Sequence, residues 1–118
     1  MNRKLFGNYG EDVASRYLSR NGYKILQKNF RTKFGEIDII AKEENTIVFI
    51  EVKTRENDKF VSPFAAINKN KQEHIIKASL CYLKNKRLFE KVKCRFDVVS
   101  VLSNDYNKIE LVKDAFRS

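Results

Sequence analysis

The order of apolar periodicities along this chain predicts an α/β domain of the α+β kind, a mixed central sheet flanked by helices. Three observations carry this. Phe34-Gly-Glu-Ile-Asp-Ile-Ile-Ala41 and Ile47-Val-Phe-Ile-Glu-Val-Lys-Thr-Arg55 are dense in β-branched and aromatic residues, and a short polar turn, Lys42-Glu43-Glu44-Asn45, joins them. Stretches with helical spacing lie on either side, and a further strand-like run, Phe96 to Leu102, follows the second of these. At 118 residues, 42% hydrophobic and 12% aromatic, the chain reads as one domain over residues 1–118. A domain of that size buries roughly two-thirds of its unfolded surface.

Asn8, with Glu11 three residues on, reads as a helix N-cap with its capping-box partner. Val13, Ala14, Tyr17 and Leu18 give that helix one apolar face, and Gly22 supplies its stop. Tyr23 to Phe30 reads as a first strand, with Asn29 and Arg31-Thr32-Lys33 turning the chain into the two central strands. Ser62-Pro63 suits the cap and first turn of a short helical piece. From about Asn68 to Asn85, Ile75, Ile76, Ser79, Leu80 and Leu83 mark an amphipathic helix. After the Phe96–Leu102 strand, residues 103–107 turn and Ile109 to Val112 form a last short strand. The predicted order is αβββαββ.

Charge narrows the function classes. The net charge is +9, and the window from Lys59 to Arg95 holds ten basic residues against two acidic ones, Glu73 and Glu90. A concentrated basic region is the footprint of a polyanion binder, because neutralising phosphates releases condensed counterions. A lysine-rich solvated surface is the plainer explanation of the same residues. The longest apolar run, Ile47 to Ile50, is far short of a membrane span, and the N-terminus lacks the apolar stretch of a secretory signal. Cys81 and Cys94 have neither metal spacing nor a disulfide-framework pattern, so reduced thiols in a cytoplasmic protein are expected.

The central hairpin carries the chemistry. With Glu44-Asn45 as its middle residues, Asp38 falls opposite Glu51 and Glu36 opposite Lys53. Alternation then puts Glu36, Asp38 and Ile40 on one face, beside Phe49, Glu51 and Lys53 of the neighbouring strand. Directly opposed carboxylates repel, and unpaired charge in apolar strands is strongly disfavoured. A divalent cation relieves the repulsion, and hard oxygen ligands suit Mg²⁺ or Mn²⁺. Lys53, two residues beyond Glu51 on its face, comes within reach of a phosphate oxygen or an attacking water.

The Asp…Glu-x-Lys constellation, with twelve residues between Asp38 and Glu51, resembles the PD-(D/E)xK nuclease superfamily. More narrowly the chain resembles the YraN-like proteins, a bacterial family similar to archaeal Holliday-junction resolvases. The likeness runs through Gly7-x-x-Gly10-Glu11-x-x-Ala14-x-x-Tyr17-Leu18, Gly22-Tyr23, Asn29-Phe30-Arg31, Gly35-Glu36-Ile37-Asp38, Phe49-Ile50-Glu51-Val52-Lys53-x-Arg55, Lys71-Gln72 and Arg95-Phe96-Asp97-Val98-Val99, nearly the whole chain. It implies a restriction-endonuclease-like fold and a metal-dependent endonuclease acting on DNA, branched DNA included. It also implies a catalytic set of Glu11, Asp38, Glu51 and Lys53, with a cation on Asp38, Glu51, the Val52 carbonyl and Glu11. Cutting both strands of a junction needs two sites, so similarity to the resolvases implies a homodimer. Three positions depart from the family pattern: Ile37 where the superfamily's nominal motif has proline, Val61 where glycine is frequent, and Asp114 where asparagine is more usual. None is a proposed ligand.

Each residue also has a plainer role open to it. A lone Glu-x-Lys on a strand is usually a solvated face, and only its combination with Glu36-Ile37-Asp38 and Glu11 points to a site. Glu36 can pair structurally with Lys53 or Arg55, and Glu11 can be a capping carboxylate. Arg55, Lys69, Lys71, Gln72 and Lys77 are the expected backbone contacts to DNA, though Lys71 and Gln72 equally suit ordinary helix surface. Asp97, alternating with apolar neighbours, is expected to be structural, and His74, the only histidine, a surface or boundary residue. Against the endonuclease stand two other classes, a nucleic-acid-binding module with a nuclease fold and little or no turnover, and a protein-interaction subunit. The intact Asp38, Glu51 and Lys53 set favours the enzyme, and fold alone does not decide.

Overall fold

A computed structural model describes residues 3–55, 67–102 and 105–118. Its elements follow the predicted order: α1 (Arg3–Arg20), β1 (Tyr23–Thr32), β2 (Gly35–Glu43), β3 (Thr46–Arg55), α2 (Lys69–Asn85), β4 (Lys93–Leu102) and β5 (Asp105–Phe116). The five strands lie in one sheet in chain order, antiparallel except for the parallel pair β3–β4. A parallel pair needs a crossover, and α2 lies within it. The mixed α/β class is therefore the one the sequence predicts. Among the described residues no helix is long and apolar enough to cross a membrane. The short helical piece expected at Ser62-Pro63 lies outside the described residues, as do Lys59 and Val61.

The core has two halves, one on each face of the sheet. Val48 and Ile50 of β3 pack with Ile39, Ala41, Val99 and Val101 against Ala14 and Leu18 of α1. The alternate residues Ile47 and Phe49 pack with Ile40 and Phe96 against Ile75, Ala78, Tyr82 and Leu83 of α2. The strict alternation on β3 puts the two helices on opposite faces. Phe49 anchors the second half, edge-on to Tyr82 at 5.9 Å and stacked with Phe96 at 5.7 Å between ring centroids. Truncating such a ring costs about 3–5 kcal/mol.

Four local expectations change. Asn8 is not an N-cap: α1 begins at Arg3 and runs through it. Asn29 does not turn the chain out of β1 but sits within the strand with a left-handed φ of 54°. The last strand is much longer than Ile109–Val112, because β5 pairs with β4 from Leu102↔Asp105 to Phe96↔Phe116. Asp114 within it has φ 54°, a conformation that Asp and Asn both tolerate. The fourth change concerns β2. The β2–β3 register is the expected one from Glu43↔Thr46 to Ile39↔Ile50, but the ladder goes no further. Ile37 and Ile40 both pack on the α2 side, where an unbroken pleat would separate them. So Glu36, Asp38 and Ile40 do not share a face, because β2 leaves β3 just before Ile39.

Gly22 ends α1 as expected, with φ 90°, a conformation that costs glycine little. Helix α2 falls where its periodicity predicts, and Asn68, not singled out as a cap from the sequence, caps it, its side chain accepting the Lys71 N–H at 2.8 Å.

Helix α1 lies against β3 at buried Gly10, where a Cβ would collide with Thr54 Oγ1. Gly10→Ala should therefore destabilise the protein by about 1–3 kcal/mol, the usual cost of overpacking. Most of that loss should vanish in a Thr54→Ala background. Chemical denaturation of both single variants and the double variant checks this, and an additive double variant would show that the contact is not the cause.

Candidate metal centre

The site is built where β2 and β3 part. Beyond Ile39↔Ile50 the Val52 N–H has lost its ladder partner, and the Asp38 carboxylate accepts it at 2.8 Å through Oδ2. On one side of Asp38, carboxylate oxygens of Glu11 (α1), Glu36 (β2) and Asp38 itself lie within 4.8 Å of one another. On the other side stands Glu51, 6% exposed. Glu51 Oε2 is buried with no hydrogen-bond partner among the described residues, and Lys71 Nζ is 3.8 Å from it, beyond hydrogen-bond range.

The electrostatics follow from that crowding. Burial first, then the neighbouring Asp38 charge, pushes the Glu51 carboxyl up to about 8, with Lys71 and Lys53 only partly offsetting it. Burial, the Asp38 charge, a hydrogen bond to Asp38 and the Glu36 charge push Glu11 up to about 7, while the Asn29 amide pulls it back. The Asn29 amide has its orientation set by its neighbours: with the nitrogen turned to the carboxylates, both ends find partners. In that orientation it donates to Glu36 Oε1 at 2.8 Å and to the two Glu11 oxygens at 3.2 and 3.1 Å. Carboxylates this crowded and this short of donors are what a hard divalent cation would satisfy, and an orphaned buried oxygen fits the same requirement.

The structure thus brings Glu11, Asp38, Glu51 and Lys53 together. Glu11 is half-buried in mid-helix and serves no cap. The converging group of three contains Glu36 rather than Glu51, so Asp38 is the carboxylate common to both sides. Glu36 pairs with Arg31, at 3.7 Å, and with Asn29, not with Lys53 or Arg55. Reasoning from sequence missed Asn29 and left Glu36, though part of the motif it singled out, outside the ligand set. The available signal was an asparagine, a poor strand former, inside a strand pattern.

Among the expected backbone contacts, Lys71 faces Glu51, and Gln72 donates to the Ile67 carbonyl at 3.1 Å. Lys69, exposed, opens α2, and Lys77, also exposed, sits over the Phe34 ring at 5.9 Å. Arg55 ends β3 half-buried, its Nε buried and without a partner among the described residues. His74 is exposed, as expected. Asp97 lies in a different place. Fully buried, it accepts from Tyr23 at 2.8 Å, from Arg95 at 2.9 and 3.1 Å and from the Asp114 N–H at 2.9 Å, a structural role.

Both raised carboxyls give the fold a definite pH dependence. A carboxyl whose pKa is raised by folding supports the native state below its unfolded value, 4.5, and loses that support as pH rises through the folded one. In chelator, this pair should cost stability from pH 4.5 upward to about 8. Glu51→Gln should remove much of the loss, making the variant more stable than wild type at pH 8 by on the order of 2 kcal/mol. Denaturation curves at several pH values check the sign, and a variant weaker than wild type at pH 8 would refute it.

The sequence pattern of the uncharacterised protein family UPF0102 matches residues 10–101. The chain is 51% identical over 111 residues to a UPF0102 protein of Syntrophus aciditrophicus, covering 93% of this chain and 87% of that one. It is 48% identical over 117 residues to one of Clostridium botulinum, covering 97% and 95%. With one of Caldicellulosiruptor bescii it shares 47% identity over 119 residues, covering 98% and 100%. The chain belongs to the UPF0102 family, the YraN-like proteins that its motifs resemble.

Proposed function

We propose that this protein is a metal-dependent endonuclease that hydrolyses phosphodiester bonds in DNA, branched DNA included. The observation that carries the reading is the under-paired carboxylate group around Asp38, with the buried Glu51 Oε2, which has no hydrogen-bond partner among the described residues, on its other side. The likeness of Asp38…Glu51-x-Lys53 to the PD-(D/E)xK nucleases supports it. Asp38, Glu51, Glu11 and the Val52 carbonyl would hold the cation, Mg²⁺ or Mn²⁺. The cation supplies Lewis-acid polarisation of the scissile phosphate and a lowered pKa for bound water.

The remaining roles belong to the chain's own groups. Lys53, close enough to Glu51 to lower its carboxyl's pKa, orients the attacking water and meets charge that develops on phosphate. Lys69, Lys71, Gln72, Lys77 and Arg55 carry the DNA backbone past the carboxylates, positioning it without reading bases. A homodimer, pairing two sites for two strands, completes the reading by analogy with the resolvases. The two thiols, both free, suit a reducing cytoplasm.

The test is incubation of purified protein with four-way-junction, duplex and single-stranded DNA, with and without Mg²⁺ or Mn²⁺. Cleavage should need the cation and be lost in Asp38→Asn and Glu51→Gln while both variants stay folded. Lys53→Ala should slow cleavage by about 10²–10³-fold and leave DNA affinity nearly intact. Tight binding without cleavage under every condition would instead make this the binding module with little turnover.

Affinity should fall steeply with salt, and a Lys69/Lys71/Lys77→Ala variant should bind more weakly with a shallower slope of log affinity against log salt. An unchanged slope would make the basic window a solvated surface. Sedimentation at micromolar concentration decides the dimer, and a monomer that cuts junctions would overturn that part.

A further inference from the structure

We propose that Asn29 is a positioning residue that clamps Glu11 of α1 to Glu36 of β2, and that Glu36 is thereby a fourth carboxylate of the cation site, beside Asp38, Glu51 and Glu11. The inference rests on the reading of this site as a cation centre. Asn29 falls between the ladder pairs Lys28↔Ile39 and Phe30↔Ile37, level with Asp38 on the strand next door. Asp38 is therefore flanked by Asn29 on one side and by the β3 residues Glu51 and Val52 on the other.

The left-handed backbone at Asn29, φ 54°, is unusual inside a strand and is a conformation in which asparagine is enriched. An amide nitrogen has two protons. One reaches Glu36 Oε1 at 2.8 Å and the other is shared between the Glu11 oxygens at 3.2 and 3.1 Å, so both are used on carboxylates from different elements. Without that bridge, Glu11 and Glu36 would repel each other and swing apart, because among the described residues the cation paired with Glu36, Arg31, is 3.7 Å away and mostly exposed. The buried Oε2 of Glu51, across Asp38, has no hydrogen-bond partner among the described residues and only Lys71 Nζ at 3.8 Å, the independent sign that the group is arranged for a ligand rather than for itself. Groups that orient ligands in this way typically change metal affinity 10–100-fold when removed.

The experiment uses full-length Asn29→Gly, Asn29→Asp and Glu36→Gln. Gly and Asp both accept a left-handed backbone, so they separate the amide from the φ angle. Melting temperature is measured in chelator and Mn²⁺ affinity by calorimetry. In chelator the order should be wild type above Asn29→Gly above Asn29→Asp, because aspartate replaces the bridge with a further negative charge. Saturating Mn²⁺ should recover most of the Asn29→Asp deficit. Mn²⁺ affinity should fall about tenfold in Asn29→Gly and by at least as much in Glu36→Gln.

Wild-type melting in both Asn29 variants would overturn the clamp and leave Asn29 a backbone device. Unchanged affinity in Glu36→Gln would overturn Glu36 as a ligand. A wild type that takes up no Mn²⁺ would sink that ligand role together with the endonuclease reading, while the melting order in chelator still decides the clamp. Should Asn29→Asp fail to fold, Asn29→Gly and Glu36→Gln carry the test.

Discussion

The hydrogen bond from the Val52 N–H to the Asp38 carboxylate is the contact on which the rest of the site depends. Strands β2 and β3 form a regular ladder only as far as Ile39↔Ile50, and a buried N–H left open beyond that point would be costly. By filling the gap with a side chain, the protein lets the strands diverge without an orphaned donor. Divergence in turn makes room between the two faces of the sheet. Glu11 enters from α1, Glu36 follows from β2, and Glu51 stays on the α2 side, held near Lys71. The close approach of α1 at Gly10 brings the helix down far enough for Glu11, the next residue, to reach Asp38.

The opposite end of the sheet shows what a purely structural charge cluster looks like in this chain. There Asp97 and Glu43 meet Arg95 and Lys113, with cation–carboxylate distances of 2.5 to 3.1 Å, and Tyr23 and the Asp114 N–H complete the set around Asp97. Burial alone would push Glu43 up, yet Lys113 and Arg95 hold it below the usual carboxylate range. At the candidate site the signs reverse. Four carboxylates have Arg31 at 3.7 Å and Lys71 at 3.8 Å, and two of them are raised towards neutrality. One cluster is satisfied by its own residues and the other is not, which is the physical distinction between a brace and a site.

Sequence reasoning reached the element order, both helix faces and the hairpin register because these follow from local periodicity and a short turn. The expected pairs Asp38 opposite Glu51 and Glu36 opposite Lys53 lie beyond the β2–β3 ladder, although the Asp38 charge still acts on Glu51. Reasoning from sequence could not see that β2 would leave β3 at Asp38, since the divergence depends on a side chain capturing a backbone N–H across strands. For that reason Glu36 was assigned a face with Ile40 that it does not share, and its true neighbours, Asn29 and Arg31, lie on the strand on the other side. Asn29 was legible as a break in β-propensity but not as a donor, because which carboxylates it meets is decided by α1 docking from far away in sequence. The start of α1 was missed for a different reason: Asn8 and Glu11 match a capping box, yet the helix continues through them.

Asp38 differs from the other carboxylates in being shared. Glu11 and Glu36 belong to the α1 side and Glu51 to the α2 side, so removing any one leaves half of the arrangement, whereas Asp38 touches both halves and closes the sheet as well. Truncating it would leave the Val52 N–H unsatisfied and confuse a functional loss with a structural one. Asparagine avoids this: its carbonyl oxygen still accepts from Val52, and its amide can donate to Glu51 or Glu11. That change removes the negative charge while adding a donor, so it should relieve the crowding that raises both glutamates. A folded and stabilised Asp38→Asn protein with weakened divalent-cation affinity is thus what a ligating carboxylate at Asp38 dictates, whereas an Asp38 that only accepts the Val52 N–H would leave cation affinity unchanged.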